Sequence, residues 1–203
     1  MLYTQEKYKM SSLELIIGPM FAGKTTELIR KVKRHYYSKM KCTILKYSKD
    51  NRYGNEDWLI THDRQKLDSS ADEIEILSFS ENWDDEFIEK LEKFQVIGID
   101  ECQFFPRLRE FCETLMLQNK IVYAAGLSAD YNLQMFPEII NTLPLASHIN
   151  FLSSVCEMCG NDHSQTSYLH KSDEQMTEDN KILIGGKDKY FPLCLRCYKN
   201  RNK

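Results

Sequence analysis

A glycine-rich segment near the start of the chain could hold phosphate groups. Residues 18–25 read GPMFAGKT, in which two glycines are followed by Lys24 and Thr25. An apolar run, residues 13–17, precedes the segment, and a helix-like stretch, residues 25–37, follows it. Glycines let successive backbone N–H groups point at phosphate oxygens, and the start of a helix adds partial positive charge. The segment therefore predicts a P-loop, a nucleotide-binding loop between a strand and a helix.

The chemistry of such a loop assigns roles to its side chains. Lys24 is expected to bridge the β- and γ-phosphates of ATP, and the Thr25 hydroxyl to bind Mg²⁺. A second apolar run, residues 96–99, ends at Asp100, where open α/β sheets bind their ligands. We expect Asp100 on the Mg²⁺ side and Glu101 at the nucleophile. The nucleotide-binding residues predicted in this way are Gly18, Pro19, Met20, Phe21, Ala22, Gly23, Lys24, Thr25, Thr26 and Asp100.

Two reaction classes fit these residues. If Glu101 orients water the protein is an ATPase, and if it orients a substrate hydroxyl the protein is a kinase. Residues 100–103, DECQ, also resemble the DExx box of helicases. Helicase motors generally need two such domains, whereas 203 residues leave room for one. A nucleic-acid-stimulated ATPase with a zinc ribbon stays open as the alternative.

Four of the seven cysteines form two CxxC pairs. Two such pairs supply four thiolates for a closed, tetrahedral, structural Zn²⁺ site, whereas redox activity would need only one pair. The zinc ligands predicted in this way are Cys156, Cys159, Cys194 and Cys197. The other three, Cys42, Cys102 and Cys112, are expected to be small buried apolar residues. The histidines His62, His163 and His170 are interpreted as ordinary surface or loop residues, not as metal ligands.

Composition limits the partners and the compartment. The net charge of −3 and the pI near 6.0 give no general attraction for nucleic acid or an anionic membrane, so a small diffusing partner is favoured. Transmembrane helices need about 20 apolar residues, and we find no such run and no signal peptide. We expect a cytoplasmic protein that binds neither nucleic acid nor membranes.

Short apolar runs alternate with helical patterns, which is typical of a parallel α/β sheet. The predicted strands are residues 13–17, 42–45, 96–99 and 121–125, and the predicted helices are 25–37, 83–94 and 107–117. Residues 48–70 are polar and are predicted to be a long surface loop. The predicted fold is α/β, a P-loop NTPase-like, mostly parallel sheet flanked by helices. We divide the chain into an N-terminal extension (1–12), the P-loop domain (13–150) and a small zinc-ribbon-like module (151–203).

Several segments occur in the order found in one family. GPMFAGKTTEL, KYSKDNRYGNED with THDR, GIDECQFF, the CxxC pairs and IGGKDKYF resemble the type II thymidine kinases, over residues 13–198. The resemblance implies transfer of the ATP γ-phosphoryl group to the 5′-hydroxyl of thymidine, giving dTMP for DNA precursor synthesis. It further implies a homotetramer, feedback inhibition by dTTP, and a lasso loop between the CxxC pairs that closes over the nucleoside.

The same resemblance implies roles for single residues. Glu101 would be the base, Arg52 would contact the transferring phosphate together with Lys24, and Asp50 and Gln103 would belong to the nucleotide site. The implied thymidine-binding residues are Met20, Phe104, Leu127, Tyr131, Phe136, Thr166, Lys181, Leu183 and Tyr190. The sequence departs from the family pattern at Tyr131, where Phe is frequent, and at Tyr168, where many relatives have Arg.

Overall fold

A parallel six-stranded sheet forms the centre of the molecule. The computed structural model describes residues 11–48, 58–60, 66–68, 74–79, 82–169 and 190–201. The strands are β1 Ser12–Gly18, β2 Cys42–Tyr47, β3 Trp58–Ile60, β4 Lys66–Asp68, β5 Glu75–Phe79, β6 Val96–Ile99, β7 Ile121–Leu127, β8 His148–Phe151, β9 Thr166–Leu169 and β10 Tyr190–Leu193. The large sheet has the order β5-β2-β6-β7-β1-β8, and all its strand pairs are parallel.

Helices cover both faces of this sheet. They are α1 Lys24–Tyr37, α2 Asp85–Leu91, α3 Leu108–Leu117 and α4 Pro137–Thr142, whereas α5 Leu195–Arg201 contacts β9 and β10. Neighbouring residues of a strand point to opposite faces; Leu15 and Ile17 belong to one buried cluster and Ile16 to another. The first cluster includes side chains of α2, α3 and α4, and the second includes Leu28 and Val32 of α1. The α/β fold with helices on both sides is therefore confirmed.

The predicted strands and helices are confirmed, with changes at their ends. Trp83 and Phe94 lie outside α2, although both pack against the same core cluster. Helix α3 begins at Leu108 because Arg107 has a positive φ of 51°. The prediction of a loop throughout residues 48–70 is wrong at six residues, which form the antiparallel pair β3 and β4. Strands β5, β8, β9 and β10 and helices α4 and α5 were not predicted.

A smaller antiparallel unit follows the large sheet. Strands β9 and β10 pair antiparallel, and α5 follows β10. The buried residues Cys156, Leu193 and Tyr198 form its core. β8, which ends at Phe151, still pairs with β1, so the predicted boundary at residue 151 coincides with the end of the large sheet and stays a prediction. Within the described parts of the chain, none of the helices combines the length and apolar character needed to span a membrane.

Candidate active site

The glycine-rich loop meets the end of β6, as the sequence predicts for two parts of one site. Residues 18–25 connect β1 to α1, and the backbone turns through positive φ angles at Phe21 (62°) and Gly23 (79°). At the start of α1, the Thr25 hydroxyl donates to the Asp100 carboxylate, 3.1 Å from Oδ1 and 3.2 Å from Oδ2. These two side chains are 75 residues apart in sequence. Their contact brings the loop and the acidic strand end together.

Contacts within and around the loop fix its shape. The Lys24 ammonium group donates to the carbonyl oxygen of Pro19 at 2.6 Å, which closes the loop on itself. The Gly18 carbonyl accepts from the backbone N–H of Ser128 at 3.1 Å. A Cβ atom at Gly18 would lie 2.5 Å from the carbonyl oxygen of Leu152, so this position has no room for a side chain. The two ends of the loop are thus held by contacts at Gly18 and Lys24.

Glu101 has an unusual backbone conformation at the end of β6. Its φ and ψ of 50° and 42° are left-handed, which is uncommon for a residue other than glycine. The Glu101 carboxylate accepts a hydrogen bond from Gln103 Nε2 at 2.7 Å, and Gln103 Oε1 accepts from the backbone N–H of Leu127 at 2.9 Å. The backbone N–H of Asp100 donates to the Leu45 carbonyl at 2.9 Å. The two acidic residues are therefore held by separate contacts.

Some of the predicted thymidine-binding residues lie near this strand end. The ring of Phe104 is 6.3 Å from that of Phe136, nearly perpendicular to it, and 5.3 Å from that of Tyr47. Leu127 ends β7 and pairs in register with Gly18. Aromatic and aliphatic faces of this kind suit a planar, apolar ligand. Tyr47 was missed by the sequence analysis, although it lies within the segment KYSKDNRY that carries the family resemblance.

Other predicted thymidine-binding residues lie in or beside the smaller unit. Thr166 is buried, and its hydroxyl donates to the Leu193 carbonyl at 2.6 Å. Tyr190 is buried at the start of β10. The Tyr131 carbonyl accepts from the Tyr198 hydroxyl at 2.8 Å. Of these, the Thr166 hydroxyl already has a protein partner, so any contact it makes with thymidine would have to share or replace that bond.

Met20 connects the two groups of residues. Its side chain is buried, and its backbone N–H donates to the hydroxyl oxygen of Ser167 in β9 at 2.9 Å. Sequence reasoning missed Ser167, because a single serine in a strand gives no signal of a contact 147 residues away. The glycine-rich loop is in this way attached to the smaller unit.

The four paired cysteines come together, as the spacing predicts. Their sulfur atoms all lie within 4.8 Å of one another, and Cys159 Sγ is 3.7 Å from Cys194 Sγ. Zn–S bonds of about 2.3 Å in a tetrahedron separate the sulfurs by about 3.8 Å. Desolvation raises the pKa of the Cys156 thiol, but hydrogen bonds from the backbone of Cys194, Cys159 and Met158 outweigh it and lower the pKa to about 6. The donor set and its size fit Zn²⁺.

The single cysteines and one histidine have the predicted structural character. Cys42, Cys102 and Cys112 are buried. Desolvation raises the pKa of all three thiols, to about 11 for Cys42 and about 12 for Cys112. His163 is exposed, with Nε2 3.3 Å from Asp162 Oδ1. These residues therefore form part of the core or the surface.

Comparison with known proteins decides the family. The sequence model described as "Thymidine kinase" matches residues 11–198, which is most of the chain. The chain belongs to the thymidine kinase family. A thymidine kinase of Choristoneura fumiferana entomopoxvirus is 39% identical over 193 residues, covering 94% of this chain and 98% of that protein. Thymidine kinases of Monkeypox virus (40% over 186 residues; 92% and 96% covered) and Amsacta moorei entomopoxvirus (39% over 191 residues; 93% and 98% covered) are similar to it as well.

Several residues that the family resemblance implies fall outside the described ranges. They are Asp50, Arg52, Lys181 and Leu183, together with the histidines His62 and His170. The roles given to these residues in a thymidine kinase site stay predictions. The described part of the site consists of the glycine-rich loop, the end of β6, the aromatic group around Phe104 and the attached smaller unit.

Proposed function

We propose that this protein transfers the γ-phosphoryl group of ATP to the 5′-hydroxyl of thymidine, giving dTMP and ADP. The family membership of the chain supports the reaction class and both substrates. The observation that carries the proposal is the contact of Thr25 with Asp100, with Glu101 one residue further on. It joins a triphosphate-binding loop to a strand end that bears a second carboxylate for the nucleophile.

The loop binds and orients the triphosphate in this proposal. Backbone N–H groups of residues 21–25 and the N-terminus of α1 attract the phosphate oxygens. Lys24 leaves the Pro19 carbonyl, which it contacts at 2.6 Å, and pairs with the β- and γ-phosphates. Residues 50 and 52 are proposed to complete the site, with Asp50 near the magnesium and the Arg52 guanidinium on the transferring phosphate.

Thr25 and Asp100 would hold Mg²⁺. Both are oxygen donors, and their oxygen atoms lie 3.1 Å apart, close to the separation of about 3.0 Å between adjacent ligands in octahedral Mg²⁺ coordination. Bound Mg²⁺ supplies positive charge that offsets the charge on the transferring phosphate. The Thr25–Asp100 hydrogen bond therefore marks a site with suitable donors and size.

Glu101 acts on the attacking hydroxyl. A carboxylate with an ordinary pKa of about 4.3 cannot deprotonate a free alcohol. In a loose phosphoryl-transfer transition state the attacking oxygen becomes acidic only late, so Glu101 aligns the hydroxyl first and takes its proton as the bond to phosphorus forms. Alignment of the hydroxyl contributes as much to the rate of phosphoryl transfer as removal of its proton does.

The nucleoside is proposed to bind beside Phe104. Its base would lie against Met20, Phe104 and Leu127, and the residues of the smaller unit, Thr166 and Tyr190, would close the pocket from the other side. The four cysteines would hold a structural Zn²⁺ that fixes the ends of the segment between β9 and β10. That segment, with Lys181 and Leu183, is proposed to cover the nucleoside and to exclude water, which favours transfer to thymidine over ATP hydrolysis.

Two further properties are proposed from the family resemblance, a homotetrameric state and feedback inhibition by dTTP bound across both substrate sites. A cytoplasmic location is proposed from the sequence. None of the seven cysteines forms a disulfide, which is usual for proteins of a reducing compartment. The relatives named above give no support to the alternative of a nucleic-acid-stimulated ATPase.

A direct experiment separates the kinase from the ATPase. Purified protein is incubated with γ-labelled ATP and Mg²⁺, first with thymidine and then with single-stranded DNA. We expect labelled dTMP in the first reaction and no stimulated release of phosphate in the second. DNA-stimulated phosphate release without dTMP would contradict the proposal, and Lys24→Met, which should be inactive in both reactions, controls for contaminating enzymes.

A further inference from the structure

We propose that Gln103 is a positioning residue that fixes the Glu101 carboxylate relative to the nucleoside pocket. The inference rests on the proposed function, in which Glu101 acts on the thymidine hydroxyl. It starts from the two ends of one side-chain amide, which contact two different parts of the site. Gln103 Nε2 lies 2.7 Å from Glu101 Oε2, and Gln103 Oε1 lies 2.9 Å from the backbone nitrogen of Leu127.

The chemistry of the partners fixes the orientation of this amide. The Leu127 N–H can only donate, so the Gln103 atom that faces it must be the carbonyl oxygen. The amide nitrogen then faces Glu101, whose ionised carboxylate can only accept. A flipped amide would place two donors together at Leu127 and two acceptors together at Glu101. Both contacts therefore favour the same orientation.

The surroundings leave Gln103 little freedom to move. Gln103 is 5% exposed. A Cβ atom at Gly126 would lie 2.6 Å from Gln103 Oε1 and 2.7 Å from Cys102 Sγ, so the backbone of β7 approaches the amide closely. Gln103 itself lies in a short 3₁₀ helix, Cys102–Phe104, which follows the left-handed Glu101 directly. The amide is thus clamped between the ends of β6 and β7.

The position of the Gln103 amide matters because the Glu101 carboxylate must point at the attacking hydroxyl before it can accept the proton. Leu127 is among the residues proposed to contact thymidine. The two hydrogen bonds that link Leu127 to Gln103 and Gln103 to Glu101 therefore set the position of the Glu101 carboxylate relative to thymidine. Small displacements of a catalytic group can reduce turnover by about 10²-fold, and residues that orient such groups typically contribute 10- to 100-fold. Both polar atoms at the end of the Gln103 amide take part in this link.

The test replaces the donor end of the amide and retains the acceptor end. In Gln103→Glu, one carboxylate oxygen still accepts from Leu127, while the other faces the Glu101 carboxylate. Two carboxylates this close repel each other or share one proton, and in either case Glu101 loses its position or its charge. We expect kcat to fall about 10- to 100-fold while KM for ATP and for thymidine stays within about threefold. Gln103→Met, which removes both contacts without adding charge, should lower kcat as well. Gln118→Glu makes the same chemical change at an exposed position and should leave kcat unchanged.

A double-mutant cycle with Glu101→Gln decides between positioning and general destabilisation. Each rate is divided by the concentration of folded protein, which is determined from melting curves and from active-site titration with thymidine. If Gln103 acts through Glu101, both Gln103 variants change the residual kcat of Glu101→Gln less than about threefold. An equal loss of kcat in the wild-type and Glu101→Gln backgrounds, or a rise in KM for ATP at constant kcat, would overturn the role of Gln103. The assignment of the protein as a thymidine kinase would then still stand. Full turnover of Glu101→Gln alone would instead overturn the proposed role of Glu101.

Discussion

The hydroxyl oxygen of Ser167 accepts a hydrogen bond from the backbone N–H of Met20, with the two atoms 2.9 Å apart. Ser167 is 5% exposed and Met20 is 6% exposed, so water cannot easily replace either partner. Ser167 lies on β9, which pairs with β10 directly before Cys194. The geometry of the glycine-rich loop therefore depends on the unit that carries the cysteines.

The first prediction concerns this contact. Ser167→Ala leaves the Met20 N–H buried without its acceptor, which should destabilise the observed loop conformation by about 1–3 kcal/mol. We expect weaker ATP binding, measured by titration calorimetry, with little change in thymidine affinity. Ser153→Ala is the control, since it also removes a hydrogen bond between a serine hydroxyl and the backbone, in which Ser153 donates to the Asp162 carbonyl at 3.0 Å. Equal ATP affinity in both variants would contradict the link.

The second prediction concerns metal removal. Purified protein should contain one Zn²⁺ per chain, and Cys197→Ser should lower the metal content and the melting temperature together. Because Ser167 attaches this unit to the loop, chelation should also weaken ATP binding. The loss on chelation should be smaller in Ser167→Ala, which already lacks the contact. Cys42→Ala, at a buried cysteine outside the cluster, should retain the full metal content, and a metal-free protein with normal ATP affinity would count against the coupling.

The third prediction concerns the proposed base. Glu101→Gln retains the size of the side chain but removes the carboxylate that aligns the thymidine hydroxyl and accepts its proton. Turnover should therefore fall by about 10²–10⁴-fold. ATP affinity should be retained, as measured with a fluorescent analogue. Glu110→Gln, at an exposed position of α3, should have wild-type turnover.

Local patterns in the sequence were sufficient to predict the elements that carry the chemistry. The glycine-rich loop has a continuous apolar run before it and a helical pattern after it, so β1 and α1 follow from periodicity alone. Asp100 follows a short buried run in the same way. The CxxC spacing predicts four sulfurs at one point because chelation needs that geometry. In each case the signal lies within a few residues.

Contacts between distant segments left no such signal. Most residues of the edge strand β8 are exposed. Its sequence HINF accordingly lacks the apolar run that marks the inner strands. Gln103 and Ser167 are polar residues whose partners lie 24 and 147 positions away. Their roles depend on strand order, since β7 lies between β6 and β1 in the sheet. Only the assembled sheet brings these side chains to their partners.

The fourth prediction concerns a buried lysine remote from the loop. Lys120 is 4% exposed, and its ammonium group donates to the carbonyl oxygens of Leu91, Glu92 and Phe94 at 3.1, 3.2 and 2.8 Å. These carbonyls belong to the C-terminal end of α2 and the turn after it, where carbonyls lack donors from the next turn of the helix. The Leu91 carbonyl also accepts from the backbone N–H of Phe94 at 3.1 Å. Lys120→Met should lower the free energy of unfolding by about 2–4 kcal/mol, because charged hydrogen bonds to buried acceptors are lost.

The matched control is Lys93→Met, which removes an exposed ion pair with Glu75 at 2.7 Å. Exposed pairs contribute about 0–1 kcal/mol, so urea denaturation should separate the two variants clearly. Neither variant should change kcat per folded molecule, since both lysines precede the N-terminal ends of their strands, whereas the glycine-rich loop and Asp100 follow the C-terminal ends. A Lys120→Met protein as stable as the wild type would mean that water or a shift of α2 satisfies the three carbonyls equally well.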